Sequence, residues 1–140
     1  MISIVASVLT GIVLTIQGAI NANIGKLSGQ FVMIVGVSLV QIVLGLILLF
    51  YTQQKMEGIV SPWILISGIL GIFAMYGFAF SIGNIGTLNV FALVLVGQVI
   101  TASVVDHFGL LGVEPIPFNL QRFASCLLII AGVYWLTKTS

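Results

Sequence analysis

The stretch FVMIVGVSLVQIVLGLILLFY, residues 31–51, runs for 21 positions without a charge and holds only Ser38 and Gln41 as polar interior groups. A bilayer core about 30 Å thick is crossed by roughly 20 apolar residues in a helix. The run lacks the polar–apolar alternation of a barrel strand. It stops at Thr52-Gln53-Gln54-Lys55, a polar cluster suited to the membrane surface. The stretch predicts a membrane-spanning α-helix.

Four more runs of the same kind flank it. The expected spans are about residues 2–20, 31–51, 63–82, 87–105 and 119–136, within one five-helix domain covering residues 1–140. Pro62 suits a first helical turn at the start of the third span. The fifth is short between Phe123 and Leu136. It reaches spanning length when residues 118–122 join it and Arg122 snorkels to the headgroups. Pro115 and Pro117 exclude regular helix from the long connection before it.

Composition agrees. The chain is 60% hydrophobic and 5% charged, against about 25% charge in an average soluble domain. That excludes a soluble monomer, a disordered chain and a basic nucleic-acid surface. The first span is not expected to be a cleavable signal peptide, because apolar runs continue along the whole chain. Cys126 is the only cysteine and reads as a small buried hydrophobe.

The seven charged residues are Lys26, Lys55, Glu57, Asp106, Glu114, Arg122 and Lys138, and all fall between spans or at their ends. A charge at mid-bilayer costs at least about 2.5 kcal/mol, so this placement supports the spans. Trp63, Trp135, Tyr51 and Tyr134 lie at span ends, where an interfacial aromatic belt belongs. With five spans, Lys55 and Arg122 lie on one face and Lys26 and Lys138 on the other. Two against two leaves the positive-inside rule without a direction. Either another signal sets one orientation, or copies insert both ways.

Five helices make a thin bundle to surround a substrate path. Transporters are commonly built from two inverted repeats with the substrate site near the midplane. A second copy in the opposite orientation supplies the missing half. The architecture expected is therefore an all-α membrane protein forming an antiparallel homodimer of ten helices, or pairing with a paralogous subunit of opposite orientation.

Polar groups inside the spans are the candidate site. Gln17 and Asn21 are four apart and share a helix face, and Asn23 follows. Ser38 and Gln41 lie near the middle of the second span, and Gln98 and Thr101 near the middle of the fourth. An amide in hydrocarbon needs a partner or water. These faces therefore form either interhelical hydrogen-bond glue, worth about 0.6 kcal/mol per pair, or a polar cavity. Tyr76 is a mid-span phenol that wants a hydrogen-bond partner. Small residues recur at Ser7, Gly11, Thr15, Gly18 and Ala22, a stripe that lets helices approach closely.

Asp106 and His107 close the fourth span. They are candidates for proton coupling, or for an interfacial structural pair capping the helix or bridging to Arg122. There is no metal-ligand cluster and no catalytic triad pattern, and nothing calls for a cofactor or an enzyme.

Gln17-x-x-x-Asn21-Ala22 in the first span, Gly97-Gln98 in the fourth, Asp106-His107-Phe108-Gly109 after it and Arg122 opening the fifth together resemble the YdcZ-like family of inner-membrane exporters in the drug/metabolite transporter superfamily. The resemblance implies a five-helix bacterial inner-membrane protein, occurring as homodimer, paired heterodimer or fused duplicate, that exports small molecules. One departure bears on mechanism. The related small multidrug exporters use a membrane-embedded glutamate in the first helix, where this chain has Gln17 and no acid. A neutral amide cannot trade a proton for a cation. A neutral or zwitterionic substrate, coupling through Asp106, or uncoupled transport follows. The leading expectation is an alternating-access exporter with Gln17, Asn21 and Gln98 lining the cavity and Gln41 and Tyr76 behind them. The rival is a non-transporting structural or accessory membrane subunit in which the amides are packing glue.

Overall fold

A computed structural model describes residues 2–53 and 62–138. Lys55, Glu57 and the rest of the second connection lie outside the described residues, as does Ser140. Among the described residues, five α-helices are long and apolar enough to cross a membrane: α1 Ile2–Ser28, α2 Gln30–Thr52, α3 Pro62–Ile85, α4 Thr87–Phe108 and α5 Leu120–Lys138. At 1.5 Å per residue, α1 is about 40 Å long, α2 to α4 are about 33–36 Å and α5 is about 28 Å.

Two boundaries differ from the hydrophobic edges. α1 continues eight residues past Ile20, through Asn21–Ser28. The polar residues there, Asn21, Asn23, Lys26 and Ser28, do not break the helix. The break comes at Gly29, whose φ of 96° leaves the helical region. Its N–H still closes onto the Gly25 carbonyl at 3.1 Å. At α5, Phe118 and Asn119 stay outside the helix. The Asn119 Oδ1 accepts the Arg122 backbone N–H at 2.9 Å, an N-cap that fixes the start at Leu120.

The chain forms two compact units, residues 1–85 and 86–140. In the first, α1 packs on both α2 and α3, and α2 packs on α3. Its buried residues are Gly18, Asn21, Ala22 and Gly25 of α1, Met33 and Ile34 of α2, and Ala79 and Ile82 of α3. All lie toward one end, where α1 finishes, α2 begins and α3 finishes. Small residues on α1 let the helices close there. At the other end, residues 2–14, 39–48 and 62–74 are exposed throughout. The three helices are packed at one end and open at the other.

The second unit is a helix pair, α4 against α5, with Val90 and Val133 buried. Between the helices, Gly109 ends α4 with φ 60° and its N–H bonded to the Val105 carbonyl. A 3₁₀ turn follows at Leu110–Gly112. Residues 113–119, with both prolines, are non-helical, in keeping with proline's missing donor.

Candidate functional site

In the first unit, a cleft of about 490 Å³ runs between α1 and α2. Gln17, Ile24 and Ser28 line it from α1, and Val32, Met33, Gly36, Val37, Val40 and Gln41 from α2. The periodicity explains the α1 wall, since positions 17, 24 and 28 fall on one face of a helix with 3.6 residues per turn. The volume is within the ~300–1,000 Å³ range of small-molecule sites. Its wall is mostly aliphatic, with two amides and one hydroxyl and no ionisable group.

The five cavity candidates divide among different settings. Gln17 and Gln41 share the cleft, Gln17 half-buried and Gln41 exposed. Asn21 is 6% exposed and sits in the packed seam of the unit, one turn from Gln17. Tyr76 lies on α3 between two rings, 5.9 Å from Phe31 and 6.0 Å from Phe80. Both rings stand in stacked orientation to it. Gln98 belongs to the second unit, on an open face of α4 with Gly97, Thr101 and Asp106.

Gln30, at the start of α2, is an addition to the residues that the sequence singles out. A β-carbon at position 25 would lie 2.7 Å from Gln30 Oε1. The amide therefore rests on the bare α-carbon of Gly25, and its buried Oε1 has no hydrogen-bond partner among the described residues. A buried acceptor without a donor costs about 1–3 kcal/mol. Ser28 was also missed, although its spacing of eleven from Gln17 places it on the same face.

Asp106, His107 and Arg122 come together at the connection between α4 and α5. Arg122 Nη1 lies 3.5 Å from Asp106 Oδ2. The Ile116 N–H donates to the Asp106 carbonyl at 2.7 Å. The Phe118 N–H donates to His107 Nδ1 at 3.2 Å, which requires an unprotonated Nδ1. These contacts hold the proline-containing loop against the end of α4. Nearby, Ser103 Oγ donates to the Val99 carbonyl at 2.7 Å and lies 3.8 Å from Cys126 Sγ. Among the described residues no group of three or more His, Cys, Asp or Glu side chains is placed to hold a metal.

A family model described as "Putative inner membrane exporter, YdcZ" matches residues 2–135. No curated protein and no solved structure matches the chain.

Proposed function

Since this chain belongs to the YdcZ family of inner-membrane exporters and is a multi-pass inner-membrane protein, we propose that it exports small neutral or zwitterionic molecules by alternating access. An exporter family is not an enzyme class, and the lipid bilayer is its solvent. The observation that carries the substrate class is the α1–α2 cleft, where Gln17 and Gln41 face one uncharged space of about 490 Å³. Neutral amides both donate and accept, so they select ligands by hydrogen bonds. With no acid in the cleft, organic-cation exchange against a proton has no carrier group there.

The working unit we propose is an antiparallel homodimer, or a pair with a paralogous subunit of opposite orientation, in which each chain is one five-helix membrane domain. That arrangement makes ten helices with an inverted repeat, as in the drug/metabolite transporter superfamily. Rocking of one subunit against the other alternates access. Gln17 and Gln41 are the cavity groups of that assembly, with Asn21 and Tyr76 behind them in the same unit, and Gln98 is a separate amide on the open face of α4. Asp106, His107 and Arg122 act as an interfacial structural set and not as the coupling site.

Two measurements test the reading. Cysteines placed at positions 17 and 41, in a Cys126→Ala background, should react with a membrane-impermeant maleimide. Complete protection at both positions would favour the accessory-subunit reading, with the amides as glue. Reporter fusions at the C-terminus should give signal from both membrane faces. Signal from one face alone would replace the homodimer by the paralogous pair.

A further inference from the structure

The α1–α2 cleft has a direction. α1 and α2 are joined through Gly29 alone. Gln17 precedes that residue by twelve positions and Gln41 follows it by twelve. At 1.5 Å per residue both stand about 18 Å from the turn, slightly more than the ~15 Å hydrocarbon depth of one leaflet. Gln41 is also the central residue of α2. The two amides are therefore level with each other near the middle of the bilayer. Every other lining residue lies on the turn side of them, apolar from Val40 to Val32 on α2 and at Ile24 on α1, as far as the Ser28 hydroxyl.

That order is the reverse of a lipid's. A membrane lipid keeps its polar group at the interface and its chain ends at the bilayer centre, so an acyl chain in the cleft would bring a methyl group against two amides. Neither amide has a hydrogen-bond partner among the described residues, and an unbonded amide in hydrocarbon is costly. An occupant that satisfies them carries its polar group deep and its apolar body toward the surface. The kind of polar group is constrained as well. Each glutamine offers a carbonyl acceptor and N–H donors, so a group with an acceptor and an N–H side by side matches it. A carboxylate only accepts and an ammonium only donates. Neither meets a countercharge, since no ionisable group lines the cleft, and an unpaired charge costs far more to desolvate than an amide does.

We propose that the substrate is a neutral amphipath headed by a carboxamide, lactam or urea, with that head between Gln17 and Gln41 and its apolar body lying along α2 toward the turn. Zwitterions thereby leave the class proposed above, on whose reading of the cleft this narrower one rests. Gly36 gives the body its room. It stands one helical turn from Val32 and one from Val40 on the same wall, and a β-carbon there would meet nothing within 4 Å. A larger side chain at position 36 therefore enters the cleft without a clash at its root.

Protection of a thiol in the cleft tests it on the full chain in vesicles. In a Cys126→Ala background, Val40→Cys puts a reporter on the cleft wall next to Gln41. The reporter should react with N-ethylmaleimide; a silent reporter would remove the cleft, and the transport reading with it. Five probes share one phenylalkyl body and are compared at equal membrane-bound concentration: hydrocinnamamide, hydrocinnamate, phenethylammonium, the zwitterion phenylalanine, and propylbenzene with no head at all. Half-maximal protection should need about tenfold less of the amide than of any other, the equivalent of losing one or two hydrogen bonds. Gly36→Leu should abolish protection by the amide. Gly45→Leu, on α2 outside the cleft lining and equally open around its β-carbon, should leave it intact. With a reactive reporter, absence of protection by the amide overturns the proposal and spares the cleft. Equal protection by phenylalanine or propylbenzene does the same, as does protection by the amide that survives Gly36→Leu.

Discussion

The two units of this chain use polar residues in opposite ways. In the α4–α5 pair those at the connecting loop are occupied with architecture: the Asp106 carboxylate with Arg122, His107 with the Phe118 amide, Asn119 with the start of α5. In the α1–α3 unit the packing is carried by small and apolar residues with Asn21 among them, and the Gln17 and Gln41 amides are left facing space. Gln17 and Gln41 look into the cleft, and Gln30 Oε1 is buried without a donor among the described residues. Polar groups already bonded within the protein hold a shape. Polar groups left open are available to a ligand or to water. The first unit is therefore where binding is expected, and the second is where the chain is braced.

The largest effect expected from this contrast is on ligand binding. Replacing Gln17 and Gln41 together by Leu removes two neutral hydrogen bonds and should weaken binding by about 30–100-fold. The measurement is a thermal shift titration with the best stabilising compound from a neutral and zwitterionic library. Undiminished affinity would break the comparison, because the open amides would then do nothing that a leucine cannot.

Stability should respond differently in the two units. Met33 is 1% exposed and touches Ile34 and Ala79 at the centre of the first unit's packing. Met→Ala in a soluble core costs about 2–5 kcal/mol. In a bilayer the separated helices still sit in hydrocarbon, so the transfer part falls away and the packing part remains. Met33→Ala should cost about 2 kcal/mol by denaturant unfolding in bicelles. No loss would mean that the buried cluster does not hold the three helices.

The second unit should be more sensitive at its backbone than at its charges. Gly109 has φ 60°, and a β-carbon there would meet Pro115 Cβ and the Val113 carbonyl oxygen, each at 3.2 Å. Gly109→Ala should cost about 1–2 kcal/mol, the penalty for a side chain in the left-handed region, in the same unfolding assay. Asp106→Asn should cost less than about 1 kcal/mol, since a half-exposed ion pair is weakened by solvent. Reversal of that order would make the ion pair, and not the turn, the chief brace of the loop.

Much of the α1–α2 site was legible in the chain. Gln17 was singled out as an amide at helical spacing from Asn21, and Gln41 as a mid-span amide. Their meeting in one cleft was not legible, because hydrophobicity is spread around these helices and marks no inward face. The same blindness hid Gln30, whose position at a helix start said nothing of its fold onto Gly25. Tyr76 was read as a phenol seeking a hydrogen bond, and it stands in an aromatic stack instead, because Phe31 lies on a different helix.

What the sequence alone determined follows from solvent and local chemistry. Charge-free runs of about 20 residues must be helices in a membrane, since every backbone amide there needs a partner within the segment. Prolines at 115 and 117 forbid helix, and seven charges mark where lipid ends. The tertiary structure alone decided which faces meet. It closed α1, α2 and α3 at one end on Gly18, Ala22 and Gly25, and it brought Gln17 and Gln41 to one cleft. When lipid is as apolar as the side chains, hydrophobicity sets where a helix lies and close packing sets its neighbours.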